Sequence, residues 1–208
     1  MHGVLRQYSL DAKHTDEVIR RITEGGIPIV QAIPGFVSYS IMDAGHGTLV
    51  TYSVYESQAG SDESTKKAAA WVKEHIASML PTPPRVVAGE IRVRELKEQP
   101  KYGVIRRYRT DPKNINQIIE RAKGGFVPLI SHLSGFAAYT ILDAGAGTLV
   151  TLSGFTTQAG AAESVTVAAS WVKEHLGALV PNPPEVTSGE IRVRVLAPVG
   201  QRTRAAGG

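Results

Sequence analysis

The chain has 208 residues, 42% of them hydrophobic and 20% charged, with a formal net charge of +4. That suits a globular protein of one large domain or two small ones. Cysteine is absent, which excludes a disulfide framework, a thiol nucleophile and a thiolate metal site.

The longest apolar stretches, such as Ile27–Ile33, are interrupted by Pro28 and Gln31 and are too short to cross a bilayer. Arg6, Asp11 and Lys13 come too early for a signal peptide, so a reducing cytoplasm and no membrane partner are expected. The densest basic group, Arg106, Arg107 and Arg109, alternates along an expected strand without stacking aromatics. No nucleic-acid partner is expected.

From the N-terminus, "GVLRQYS" alternates as a strand does. Asp11 stands where a helix N-cap is wanted, and in a second copy Asp111 precedes Pro112, a favoured first helical residue. Val18, Ile19 and Ile22 supply the apolar stripe of that helix, and Gly25 is expected to end it. "FVSYSIMD" and "TLVTYSVY" flank "AGHG" as a hairpin. Ser57 or Thr157 caps a second helix expected to run to about Leu80 in the first copy, where Pro81, Pro83 and Pro84 stop it. "EIRVR" closes the unit as a strand.

All of this is written twice. Val4–Leu96 aligns without gaps to Val104–Leu196, about half the positions being identical. The expected organisation is a first unit over residues 1–96, a linker over 97–103, a second unit over 104–196 and a loose tail over 197–208. The order strand, helix, strand, strand, helix, strand defines an α+β ferredoxin-like unit. Helices cover one face of such a sheet, so two antiparallel sheets are expected to pack face to face within one chain, a monomeric pseudo-dimer or weak homo-oligomer.

The unit order, with "IPGFVSY" (Ile33–Tyr39) and "LSGFAAY" (Leu133–Tyr139) leading into the hairpins, resembles the dimeric α+β barrel superfamily. Its antibiotic-biosynthesis-monooxygenase-like group is the nearest branch. The resemblance implies a fused pair of units and oxidation of polycyclic phenols without metal, flavin or other cofactor. Haem-degrading members carry a first-strand Asn. Here that strand has Arg6, Gln7 and Tyr8 instead.

Alternation places Ile91 and Val93 on one side of the last strand and Glu90, Arg92 and Arg94 on the other. Arg6 and Tyr8 share a face, as do Arg106 and Tyr108; Ser38, Ser40, Thr51 and Ser53 extend the polar set. With the apolar parity under the helices, these polar groups should face the space between the sheets. An uncompensated buried guanidinium costs several kcal/mol, so that space should be wet, anion-bearing or limited to exposed rims.

On the second helix Ala68, Trp71, Val72, His75, Ile76 and Met79 recur at three- and four-residue steps, a packing stripe. Trp71 and His75, like Trp171 and His175, lie one turn apart and could line a volume between helix and sheet. This gives the candidate catalytic set, with an imidazole to move a proton and an indole to stack on substrate. Tyr8, Tyr108, Arg6, Arg106, Tyr39 and Tyr139 are the candidate ligand-binding residues. No histidines stand at metal-ligand spacing, and no metal is expected. Two functions follow: a cofactor-independent monooxygenase-like enzyme acting on an aromatic or quinol-type substrate, or a non-catalytic protein binding a small anion or partner segment in the inter-sheet space.

Overall fold

The computed structural model describes residues 1–198. The first repeat forms β1 (His2–Ser9), α1 (Thr15–Arg21), α2 (Ile27–Gln31), β2 (Phe36–Asp43), β3 (Thr48–Tyr55), α3 (Gln58–His75) and β4 (Arg85–Leu96). The second forms β5 (Tyr102–Arg109), α4 (Ile115–Arg121), α5 (Val127–Ser131), β6 (Phe136–Asp143), β7 (Thr148–Phe155), α6 (Gln158–Leu176) and β8 (Glu185–Leu196). In the first unit β3 pairs antiparallel with β1 and β2, and in the second β7 pairs antiparallel with β5 and β6, the start of β8 with β5 and the end of β4 with β6.

The caps are where the sequence puts them. Asp11 and Asp111 accept hydrogen bonds from the Lys13 and Lys113 amides at short 3-10 turns leading into α1 and α4. Ser57 and Thr157 accept from the Gly60 and Gly160 amides at the starts of α3 and α6. Gly25 does not end the first helix, contrary to expectation. The chain passes through a π-turn, Ile22–Gly26, straight into α2, and Ala122–Phe126 does the same before α5. The cause is packing: a Cβ on Gly25 would stand 3.0 Å from Trp71 Nε1, so these glycines let the indole approach the backbone. α3 stops at His75, and a separate 3-10 turn, Ala77–Met79, carries the chain towards the prolines.

The compact units divide inside β4 and β8 rather than at the joint 97–103. One consists of Met1–Ala88 with the chain from Arg192 on, the other of Gly89–Ile191. The end of β4 thus belongs to the second unit, where Glu90–Leu96 pairs with Asp143–Ala138 of β6 around a bulge and Val93 joins the core. The end of β8 belongs to the first, whose core takes Val193, Val195 and Ala197. Ala197 is buried and donates its amide to the Val37 carbonyl, so it is no part of a loose tail; residues 199–208 of that expected tail lie outside the described residues.

The joint is also fixed. Lys97 and Glu98 amides donate to the Ala137 carbonyl at 2.8 and 3.2 Å, and the Lys101 amide donates to the Phe155 carbonyl at 2.8 Å. Pro100 packs on Gly154, where a Cβ would come within 2.7 Å of the ring. Each unit buries one core between its helices and sheet. In the first, Val18, Ile22, Ile27, Tyr39, Ile41, Trp71 and Ile76 meet; in the second, Ile118, Ile119, Phe126, Tyr139, Ile141, Trp171 and Leu176 do so.

The hairpin loop of the first unit separates two causes of glycine preference. Gly45 and Gly47 have φ of 77° and 73°, but a Cβ on Gly45 meets nothing within 4 Å, whereas one on Gly47 would collide with the Leu10 carbonyl oxygen. Denaturant unfolding should show Gly45→Ala costing about 1 kcal/mol from backbone strain alone. Gly47→Ala should cost roughly 3 kcal/mol or more.

Candidate functional site

In the first unit, cross-strand register puts Arg6 opposite Thr51, Val4 opposite Ser53, and Tyr8 opposite Leu49. Tyr39 and Ile41 of β2 face Ser53 and Thr51 from the other side of β3. Arg6, Tyr8, Tyr39, Thr51 and Ser53 therefore share one sheet face. That face lies under α3: Arg6 donates through Nη1 to Ser53 Oγ at 3.1 Å and through Nη2 to Ser64 Oγ of α3 at 2.9 Å.

This reverses the expected parity. The polar residues of β1 and β3 sit between helix and sheet, not on the uncovered face. Ser38 and Ser40 pair with Val54 and Tyr52 and so occupy the opposite face, apart from the arginine. The physical reason lies in the helix. Gly60, Ser61 and Ser64 are its buried positions here, small enough to admit a guanidinium and able to accept its hydrogen bonds.

The second unit repeats the arrangement. Arg106 donates to Ser153 Oγ at 3.0 Å, to Ser164 Oγ at 3.0 Å and to the Ser164 carbonyl at 2.7 Å. Both arginines are 2% exposed. Burial lowers the Arg106 pKa from its ordinary value. Burial likewise raises the Tyr8, Tyr39, Tyr108 and Tyr139 hydroxyls above the usual tyrosine range, with Arg6 partly offsetting the shift at Tyr8. One partner differs between copies: Tyr55 donates to the Val30 carbonyl at 3.2 Å, and position 155 is Phe.

One space adjoins Arg106, and a second shares three of its wall residues. A cavity of about 390 Å³ is lined by Arg106, Tyr108, Val165, Ala169, Val172 and Lys173, together with Gly177, Val180, Pro181–Pro184 and Val186. Tyr108, Val172 and Val180 also line a second space of about 30 Å³, walled by Ile118, Phe126, Tyr139, Ile141, Leu149 and Trp171. Sequence reasoning found Arg106, Tyr108, Tyr139 and Trp171, which the fold brings together. It missed Ser64 and Ser164, together with the cavity wall of Val165, Ala169 and the proline run. The small-residue starts of the two helices, "QAGSDES" and "QAGAAES", carry the signal for the serines.

The histidines are placed differently. The His175 ring stacks on Trp171 with centroids 4.8 Å apart and an 11° interplanar angle, and its Nδ1 donates to the Trp171 carbonyl. His75 does the same on Trp71 at 4.9 Å and 7°. The indoles are 8% exposed, whereas the His175 side chain is 45% exposed. Each imidazole thus lies on the outer face of its indole, away from the helix–sheet core. His175 and Trp171 together border an open cleft of about 520 Å³ with Arg121, Gly124, Gly125 and Glu174.

Arg92 of β4 and Arg192 of β8 sit where water reaches them. Arg192 is 38% exposed and bonds Asp43 and Asp16 at 3.3 and 3.2 Å; Arg92 is 31% exposed and bonds Asp143 at 3.3 Å. Glu90, on the same strand, lies 3.9 Å from Arg92, and Asp143 is the closer carboxylate. Among the described residues no group of three His, Asp or Glu could hold a metal ion, and no helix is long and apolar enough to cross a membrane.

Residues 1–70 match the family model described as "Antibiotic biosynthesis monooxygenase". The antibiotic-biosynthesis-monooxygenase resemblance therefore holds, in tandem form. No curated protein matches by sequence. Three solved structures share the fold across both repeats. An anthrone oxidase-like protein is 15% identical with a TM-score of 0.69, covering 94% of this chain and 93% of its own. A proposed monooxygenase from Fusobacterium nucleatum is 9% identical with a TM-score of 0.73, covering 94% of each chain. Another, from Lactobacillus acidophilus, is 10% identical with a TM-score of 0.69, covering 94% and 96%.

Removing a hydroxyl acceptor from a buried guanidinium leaves donors unmet, so Ser164→Ala should lower unfolding free energy by about 1–2 kcal/mol in urea titrations. Alkali gives an independent check. The four buried phenols have folded-state values above the ordinary value near 10. Their contribution to stability is complete below that pH and is lost as pH rises towards the folded-state values. Absorbance of the tyrosinate band should show these four ionising only together with a loss of structure.

Proposed function

We propose that the chain is a monooxygenase-like enzyme that oxidises an aromatic, quinol-type substrate without a cofactor, in the helix–sheet cavity of the second unit. The observation that carries this is the cavity itself. At about 390 Å³ it lies in the range of small-molecule sites, with aliphatic and proline walls and a few convergent polar groups at its floor.

The substrate is its own reductant in this chemistry. An anthrone-type CH₂ between aryl rings loses its two hydrogens and gains a carbonyl oxygen. Dioxygen supplies that oxygen, and its second atom leaves with the two hydrogens as water. The residues here provide binding and electrostatics. Val165, Ala169, Val172 and Val180 hold the rings. Tyr108 donates to the enolate or phenolate oxygen formed when the substrate loses its first proton, and the nearby Arg106 cation favours the negative charge in the cavity. The apolar 30 Å³ space behind Tyr108 gives dioxygen a place next to the ring.

The exposed histidines have no part in this reading, because their rings lie beyond the indoles. Oxygen uptake with anthrone provides the test. Ala169→Phe, which fills the cavity, should abolish turnover, and Tyr108→Phe should lower it about ten-fold or more. The double variant His75→Ala, His175→Ala should stay within roughly two-fold of the parent. Loss of turnover in the histidine variant with retention in Ala169→Phe would move the reaction to the Trp–His pair.

A further inference from the structure

We propose that the ligand of the second unit's cavity is an aromatic acid whose carboxylate binds the Arg106 guanidinium. This rests on reading that cavity as the substrate site.

In this unit Arg107, 9% exposed, lies 3.3 Å from Glu185, and the partly exposed Arg92 lies 3.3 Å from Asp143. Arg106 is more deeply buried than those two, and its three hydrogen bonds all go to neutral acceptors, the hydroxyls of Ser153 and Ser164 and the Ser164 carbonyl; Arg6 of the first unit is likewise met only by the hydroxyls of Ser53 and Ser64. Among the described residues no carboxylate stands within ion-pair distance of Arg106. A guanidinium has five N–H donors, so three bonds leave donors over.

A buried cation with only neutral partners is under-compensated, and an oxyanion is the ligand that corrects it. The cavity carries the same sign throughout. Lys173 and Asn182 line it along with Arg106, and neither Asp nor Glu does. The remaining walls are Tyr108, Val165, Ala169, Val172, Gly177, Val180, Val186 and the prolines. A flat apolar ring with one acidic group matches both parts. A carboxylate fits the planar fork of the guanidinium with two parallel bonds, which a single phenolate oxygen cannot make.

Calorimetry at neutral pH with 2-naphthoate, 2-naphthamide and 2-naphthol tests this on the intact chain, since the three share a ring and differ in charge. Naphthoate should bind roughly ten-fold tighter than either neutral probe. Ala169→Phe should lose all three. Lys173→Ala should keep the preference for the acid, and Arg106→Gln should remove it while leaving the neutral probes bound. If Arg106→Gln does not fold, the parent, Ala169→Phe and Lys173→Ala still decide. Equal binding of the acid and the amide would overturn the proposal and leave the aromatic cavity standing. A preference that survives in Ala169→Phe, or vanishes in Lys173→Ala, would also overturn it. Failure of every probe to bind would overturn both readings.

Discussion

A guanidinium enclosed between a sheet and a helix constrains everything near it. Arg6 and Arg106 stand on the first strands of their repeats at 2% exposure, and each has to be met by acceptors that the covering helix supplies. Ser64 and Ser164 do so, and an apolar residue at either position would leave buried donors unmet. The helices must also stay thin along this stretch, which explains why Gly60, Ser61 and Ser64 or Gly160, Ala161 and Ser164 form their buried sides. Hydroxyls on Ser53 and Ser153 meet the same arginines from the sheet. The phenols of Tyr8, Tyr39, Tyr108 and Tyr139 crowd the same faces and remain un-ionised because burial opposes their charge.

The far end of each long helix solves a different problem. Trp71 and Trp171 fill the space between α3 or α6 and the shorter helices, and they fit only because Gly25 and Gly125 present bare backbone. The π-turn at 22–26 and 122–126 adds a residue to the helical turn and carries those glycines under the indole. His75 and His175 then cover the outer ring faces, with Nδ1 engaged on the preceding turn. Arg21 and Arg121 close the same helix ends by donating to the His75 and His175 carbonyls at 2.8 and 2.6 Å. The Trp–Val–Lys–Glu–His stretch is thereby accounted for as a packed and capped helix end.

The duplication and the order of elements were legible because they depend on periods, caps and turn residues that lie close together in sequence. Asp11, Ser57 and the Ala44–Gly47 loop did what such residues do locally. The face of β1 was not legible. Its two parities, Val4–Arg6–Tyr8 and Leu5–Gln7, are both mixed, and the parity of β4 was a poor guide to it. Deciding which one lies under the helix requires knowing that the helix's small residues could receive an arginine, which is a tertiary fact. The exchange of strand ends was hidden for a similar reason. A bulge between Ile91 and Val93 and the register of Glu90–Leu96 on β6 depend on distant pairing, and no local signal marks them. The cavity walls were missed because Val165, Ala169 and Pro181–Pro184 read locally as helix stripe and helix stop.

The divergence between the copies then has a physical pattern. Arg, both serines, and the tyrosines equivalent to Tyr8 and Tyr39 are the same in the two units, whereas their surroundings differ: Tyr55 against Phe155, Gln7 against Arg107, Arg85 against Glu185, His46 against Ala146. A buried cation and its acceptors can be replaced only together, since any single loss leaves an unmet charge or donor, and this coupling holds whether the group serves structure or ligand. Cavity walls are under no such coupling. Val165 corresponds to Thr65 and Val180 to Leu80, changes of shape and polarity that leave the arginine untouched. His46 occupies a left-handed backbone position at φ 50° that Ala146 adopts equally at 47°, so the loop conformation does not require the imidazole. Selectivity between ligands can therefore drift in each repeat while the charged anchor under the helix stays fixed.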